Sequence, residues 1–540
     1  MKKYPKLTYS ILFALFAFVS THTEAQYVSE AWSPDLGDGN YKNPVIHADY
    51  SDPDICKAGD DFYMTSSSFN SVPALPILHS KDLVNWELIN YAIPSFPGSY
   101  FDTPQHGNGV WAPCIRYHEG MFYIYWGDPD RGIYMVQTDD PAGEWSAPIL
   151  VKKAYGNIDS SPLWDDDGKV YLVHAFAHSR AGIKSTLQVV ELSKDGSQIM
   201  DKGTIVFDGH KDHETIEGPK FYKRNGYYYI FAPAGGVPTG WQLILRSKNV
   251  YGPYEEKIVL AQGETPINGP HQGGWVELEN GENWFFHFQD KGAYGRILHL
   301  QPVEWIDDWP IMGNDKDGDG TGEPFLVHKK PNLPTQKVVN PIESDEFDCK
   351  TLGLQWQWNA NPQPGWYSLA AKEGQLKLNT KPTSELASNL WLSPNILLQK
   401  FPAEEFKNTV KMDVSNLKDG EETGLLIFGL DYASLVAKKK KGEVYIEQRV
   451  CLQAEKNKEE KTLNSAKIVG TTVWLRSEVK KGALVNFSYS TDGKVFKPIG
   501  QEFTAKEGKW VGAKSGLYAK RDKETGLGGY VLIDWFHVEK

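Results

Sequence analysis

The sequence predicts an all-β protein, a five-bladed β-propeller followed by a β-sandwich, on three observations. A pattern of turn, short strand, turn glycine and aromatic strand recurs five times in the first 325 residues, as SDPDICKAGDDFYMTSS, WAPCIRYHEGMFYIYWG, Asp159 followed by SSPLWDDDGKVYLVHA, EGPKFYKRNGYYYIFAP and HQGGWVELENGENWFFHF. Its turn glycines, Gly59, Gly120, Gly168, Gly226 and Gly281, are 61, 48, 58 and 55 residues apart, which gives each unit room for a four-stranded antiparallel sheet. No long 3.6-residue period interrupts the alternating strands, and from about residue 340 the repeat gives way to evenly spaced strands of another kind. A sandwich over the first half is the competing reading, but it supplies no reason for so regular a period.

In chain order, Met1, Lys2 and Lys3 precede the apolar run SILFALFAFVS (10–20), and the small residues Thr23 and Ala25 stand ahead of Gln26. This predicts a signal peptide over 1–25, too short for a comfortable membrane span. The mature chain is therefore expected to be exported, periplasmic or secreted, and not membrane-spanning. Residues 40–330 hold the propeller. GNDKDGDGTGEPFLVHKKPNLPTQ (313–336), dense in turn residues, charges and prolines, marks its end. There Asp315, Asp317 and Asp319 imitate the start of an EF-hand loop, but Leu326 stands where the bidentate Glu belongs. The match fails as an EF-hand and leaves a loosely held structural calcium as the most it predicts. Over 340–540, GQLKLNT, TGLLIFGL, GEVYIEQRV, TTVWLRSEV, LVNFSYST and GYVLIDWFHVE read as a two-sheet sandwich, with AKKKKGE (437–443) as a solvated hairpin turn.

Composition narrows the partners. The chain of 540 residues carries 18 Trp and 27 Tyr, enough for aromatic-lined binding surfaces. A formal net charge of −12 argues against nucleic acid or an anionic membrane as partner. A neutral ligand fits better. Cys56, Cys114, Cys349 and Cys451 are far apart and show no metal-ligand spacing, so buried free thiols are expected, with one disulfide left open. Oligomeric state is not legible.

Counting back 7, 9, 9, 9 and 10 residues from the five turn glycines gives Asp52, Trp111, Asp159, Glu217 and His271. In a propeller the inner strands line one channel, so these positions gather at one of its mouths. A lone aspartate beside Pro53 would be read as a turn cap. Three acids at matched places in blades one, three and four point instead to a site. Glycoside hydrolysis needs one carboxylic acid to protonate the leaving oxygen and one carboxylate on the other face of the sugar. A third carboxylate raises the pKa of the acid by like-charge repulsion. No cofactor is required for that chemistry.

The stretches NPVIHADYSDPDICKAGDDFYM (43–64), WAPCIRYHEGMFYIYW (111–126), Asn157, Ile158 and Asp159 with the following SSPLWDDDGKVYLVHA (160–175), IEGPKFYKRNGYYYIFAPAGG (216–236) and GRILHLQPVEW (295–305) resemble glycoside hydrolase family 43, the exo-acting β-xylosidases and α-L-arabinofuranosidases. The resemblance implies that Asp52 is the general base, Asp159 the carboxylate that tunes the acid, and Glu217 the general acid. It gives Asp54 no catalytic role. It implies that Arg296 binds substrate hydroxyls, that His271 is a channel histidine which in some relatives helps hold a calcium ion or a water, and that Phe69 and Trp111 are pocket aromatics. It further implies a jelly-roll, concanavalin-like sandwich, one of whose loops closes the pocket in relatives. The implied reaction inverts the anomeric centre, with the carboxyl groups of Asp52 and Glu217 about 6.5 to 9.5 Å apart to admit water.

The expected substrate is hemicellulose or an arabinose-bearing oligosaccharide. Asn70 and Ser71, where β-xylosidase relatives tend to be aromatic or acidic, tilt the expected sugar toward L-arabinofuranose ahead of D-xylose. The alternatives are β-xylosidase as main activity, a retaining fructan hydrolase, and a non-catalytic carbohydrate-binding propeller. For the second half a free-standing carbohydrate-binding module competes with an integral sandwich.

Overall fold

The computed structural model describes residues 27–369, 372, 374–382, 388–521 and 528–540; the expected signal peptide at 1–25 lies outside the described residues. Five four-stranded antiparallel sheets follow one another in chain order. Their inner strands are Asp54–Ala58, Trp111–His118, Asn157–Trp164, Lys220–Arg224 and Trp275–Glu277, the first strand of blades I to V. Each expected turn glycine joins the first two strands of its blade with a positive φ of 61°, 84°, 81°, 73° or 86°. That conformation, which only glycine adopts without cost, is why the repeat carries glycine there. Neighbouring blades cover both faces of each sheet, so the strand Asn283–Asp290 is buried over seven of its eight residues.

The ring closes outside the blades. Asn40–Lys42 pairs antiparallel with Val327–Lys329, and the Asn43 amide donates to the carbonyls of Leu300 and Phe325 while its oxygen accepts the Leu300 N–H. Lower in the channel, Asp54 is fully buried and accepts from Arg116 at 2.6 Å and from the Ile115 N–H at 2.9 Å. Arg116 also donates to Ser161, which accepts the Phe221 N–H. Lys220, wholly buried, donates across to the Pro113 carbonyl at 2.9 Å. This polar belt ties blades I to IV to one another. Asp54 is thus a structural tie.

Residues beyond 344 form two eight-stranded sheets, a sandwich as expected. Lys514–Arg521 lies between Leu397–Lys400 and Glu422–Phe428 in one, and Phe406–Asp413 between Tyr530–Glu539 and Thr472–Lys480 in the other. The lysine-rich stretch is the predicted hairpin, turning at Lys441 and Gly442 with φ of 50° and 79°. The sandwich does not stand free. Val72, Phe96, Phe101 and Val110 of the propeller share one apolar cluster with Trp356, Trp358 and Leu397, and each such side chain contributes about 1.5–3 kcal/mol on burial. Asn70 donates to the Asn359 carbonyl and Lys514 donates to Ser71 at 2.7 Å. These two side chains therefore face the sandwich, and the lean toward arabinose drawn from them loses its basis. Cys56, Cys114 and Cys451 are buried free thiols, whereas Cys349 is exposed, at a loop position near the start of the sandwich. The expectation of burial fails there.

Candidate active site

A pocket of about 140 Å3 opens at the channel mouth where the inner strands begin. Asp52, Phe69, Trp111, Asp159, Glu217 and Arg296 all line it, together with Ala112, Ile158, Val237, Gln272 and Trp510. Local backbone conformation explains how a strand end delivers a side chain there. Asp52, Phe69, Ala112, Asp159, Gln272 and Trp510 have φ between 33° and 65°, a region sparsely used by residues other than glycine and costing on the order of 1 kcal/mol or more each. Two inner strands also slip register beside the site, between Trp111 and Cys114 and between Ile158 and Ser161. Such bulges re-aim a side chain that regular pleating would point at a neighbouring blade.

Asp52 is held at both oxygens. Arg296 donates to Oδ1 at 2.8 Å, and the Ser67 hydroxyl donates to Oδ2 at 2.6 Å. Ser67 in turn accepts the Ala112 N–H at 2.7 Å, which leaves its own proton aimed at Asp52. Asp159 accepts from the Gly218 N–H at 2.8 Å and from the Gln272 amide at 3.3 Å. Gly218 directly follows Glu217, so the same turn that presents the glutamate also ties it to Asp159.

Glu217 keeps a third of its side chain open to the pocket and accepts no hydrogen bond among the described residues. Burial pushes its carboxyl well above the usual range, the charge of Asp159 adds to that, and Arg296 partly opposes it. Burial also raises Asp159, with the Gly218 N–H pulling the other way. The donors on Asp159 favour its ionised form, whereas Glu217 accepts none among the described residues, so of the two carboxyls Glu217 is the one that keeps a proton.

His271 is buried against Phe288 with its Nε2 3.6 Å from Glu217 Oε1. Burial and the Arg296 charge push its pKa down to about 3, so the ring is neutral. Neither ring nitrogen makes a hydrogen bond among the described residues. Among the described residues the acidic and histidine side chains whose ligand atoms converge are Asp315, Asp317 and Asp319, on the propeller's exit loop. Asp315 and Asp319 already accept backbone N–H groups of that loop.

Sequence reasoning missed Ser67, Gln272 and Trp510. Ser67 and Gln272 lay inside or beside the motifs, but nothing marks which serine of TSSSF turns inward. Trp510 comes from the sandwich, with its ring 6.1 Å from that of Trp111. Its loop is pinned by Asp49, which accepts the Arg296 N–H at 2.9 Å on one oxygen and the Gly512 N–H at 2.8 Å on the other. A second tie runs from the Ala513 N–H to the Ala293 carbonyl at 2.7 Å.

The chain is similar to known proteins along most of its length. The family profile for glycosyl hydrolases family 43 matches residues 41–310, and that for the β-xylosidase C-terminal concanavalin A-like domain matches 344–539. A Xylanibacter ruminicola protein carrying β-xylosidase as a provisional name is 37% identical over 504 residues, 91% of this chain and 89% of its own. A non-reducing end α-L-arabinofuranosidase of Bacteroides ovatus is 33% identical over 419 residues, 73% of this chain and 74% of its own. The crystal structure of a GH43 protein from Bacillus licheniformis superposes with a TM-score of 0.79 at 27% identity, covering 93% of this chain and 99% of that one. With a family profile over 41–310, a second over 344–539 and a relative 37% identical across 91% of this chain's length, the chain belongs to glycoside hydrolase family 43.

Proposed function

We propose that this glycoside hydrolase is an exo-acting, inverting enzyme that removes a terminal pentose from hemicellulose or arabinose-bearing oligosaccharides. The observation that carries the reading is a small pocket holding three carboxylates in three different environments. A volume of about 140 Å3 suits one sugar ring. Asp52, oriented by Arg296 and Ser67, takes a proton from the attacking water. Glu217, held protonated by burial and by Asp159, gives its proton to the leaving glycosidic oxygen as the bond to the anomeric carbon breaks. Water's oxygen becomes the new anomeric hydroxyl on the opposite face. Arg296 keeps donors for sugar hydroxyls, and neutral His271 offers a nitrogen to a hydroxyl or to solvent beside Glu217. Every step uses the chain's own side chains, with no cofactor.

D-xylose stands first and L-arabinofuranose second. The relative matched over more of the chain carries the xylosidase name, and Asn70 and Ser71 no longer favour arabinose. Among the described residues no helix is long and apolar enough to cross a membrane, and export through the residue 1–25 signal remains part of the proposal. The test is hydrolysis of aryl β-D-xylosides and α-L-arabinofuranosides, with NMR of the first-formed anomer. Inverted pentose is expected. A retained anomer would overturn the mechanism, and no turnover of either series would overturn the activity.

A further inference from the structure

Beside the pocket, on its blade III side, lies a built arginine. Arg180 sits on the single-turn helix His178–Ala181 of that blade, with its guanidinium 5.8 Å from the Trp111 ring. Three neighbours fix it: Nε donates to Asp130 at 3.0 Å, Nη1 to Ser179 at 3.0 Å and Nη2 to Asn108 at 3.1 Å. A guanidinium has five N–H donors. Two remain unspent, on a side chain 23% exposed.

The surroundings are those of a sugar platform. Asn108 also donates to the Tyr100 hydroxyl at 2.9 Å, and the Arg131 guanidinium stacks 4.2 Å from the Tyr100 ring. Tyr155 runs beside the Arg180 helix, because the next residue, Gly156, accepts at 2.8 Å the N–H of Ala177, which begins that helix. The exposed aromatic side chains among the described residues are Tyr100, Tyr117, Tyr155 and Trp510, at 41%, 43%, 61% and 48%. Three of these four flank Trp111 and Arg180, which is not how chance exposure distributes them. Charge decides the ligand class. Arg180 is paired with Asp130 and Arg131 with Asp128, so this rim is balanced and favours a neutral, hydroxylated ring over an anionic one.

We propose that Arg180, presented by Asn108, Ser179 and Asp130 and flanked by Tyr100 and Tyr155, binds the hydroxyls of the neutral sugar on the leaving-group side of the scissile bond. The inference rests on the exo-glycosidase reading and adds to it a determinant of which leaving group is preferred. Arg180 holds a rotamer before substrate arrives, so little side-chain entropy is lost when its two free donors engage.

The test compares kcat/KM on xylobiose with kcat/KM on 4-nitrophenyl β-D-xyloside, or the corresponding arabinose pair, in the wild type and in Arg180→Ala. A hydrogen bond from a charged donor corresponds to roughly ten- to a hundredfold, so the disaccharide-to-aryl ratio should fall by that factor. Tyr155→Ala, at an exposed position that threatens the fold less, should lower the same ratio by about two- to fivefold, the range of a stacking contact. Ratios that stay at the wild-type value in both variants overturn the proposal, whatever happens to the absolute rates. A wild type inactive on every substrate would overturn the glycosidase reading itself, and the subsite with it.

Discussion

Replacing Asp159 by Asn tests how the acid is kept protonated. The amide oxygen can still accept the Gly218 N–H now 2.8 Å from Asp159 Oδ2, so the turn that presents Glu217 keeps its anchor while the charge disappears. For Glu217 burial is the largest cause of the raised pKa and the Asp159 charge the second. Like charges that shift a carboxyl do so from within about 4–6 Å, where at an effective dielectric of about 20 a unit charge is worth about 3–4 kcal/mol, or about two to three pH units. With Arg296 partly screening that charge, the alkaline limb of the kcat/KM profile should move toward acid by about one to two units. It should stop above the ordinary carboxylate range, because burial remains. The assay is a pH–rate profile from pH 4 to 9, in which activity near pH 8 falls more than activity near pH 5. Stability should move oppositely. A carboxyl raised in the folded state binds protons that the unfolded chain has already released, so wild-type stability declines as pH rises from the unfolded pKa through the folded one. The Asn variant escapes that decline, and its Tm should exceed that of the wild type near pH 8 but not near pH 4. A uniform loss of rate with both limbs unmoved would refute this account and leave Asp159 as a residue that only positions substrate.

Three further outcomes follow from the same geometry. Glu217→Gln should lower kcat on xylobiose by about 10²–10⁴ and spare aryl glycosides with good leaving groups, since the amide keeps the shape but has no proton to give; an equal fall on both, measured by initial rates, would deny Glu217 the acid's part. Asp52→Asn should depress every substrate alike, because water must be activated whichever group departs, and initial rates on xylobiose and on aryl glycosides should fall by the same factor. Gly512→Ala would place a methyl group 2.8 Å from the Gly295 nitrogen and 2.9 Å from its Cα. The Trp510 loop must then shift, and about tenfold in kcat/KM with about 1–3 kcal/mol of stability should be lost, read by kinetics and thermal melting.

The repeat was legible because one physical need recurs. A hairpin turn with positive φ calls for glycine in every blade, and the glycines at 59, 120, 168, 226 and 281 mark the register from which the acids can be counted. Asp52, Asp159 and Glu217 were legible for the same reason. What could not be read is how each side chain is aimed. The left-handed conformations at Asp52, Ala112, Asp159 and Gln272 are forced by the packing of five inner strands round one axis, and no residue type announces them. Asn70 and Ser71 show the converse error: their departure from what β-xylosidase relatives carry tilts the expected sugar toward arabinose, yet their partners are Asn359 and Lys514 of the sandwich.

Asp49 shows most plainly where a linear reading ends. Its two carboxylate oxygens accept from Arg296 and Gly512, 247 and 463 residues away, and in the sequence it is one more acid ahead of a turn. Its position matters because Arg296 also holds Asp52, while the loop after Gly508 carries Trp510 to the rim. One carboxylate therefore joins Arg296, its partner Asp52 and the sandwich loop into a single unit. Glycine at 295 and at 512 lets the two backbones approach so closely: a Cβ on Gly295 would stand 2.5 Å from the Asp49 carboxyl carbon, and one on Gly512 would meet Gly295. The pocket wall on that side is thus a joint between the two halves of the chain. On this geometry the sandwich completes the active site, and a carbohydrate-binding module that merely tethers substrate would have no use for such a joint.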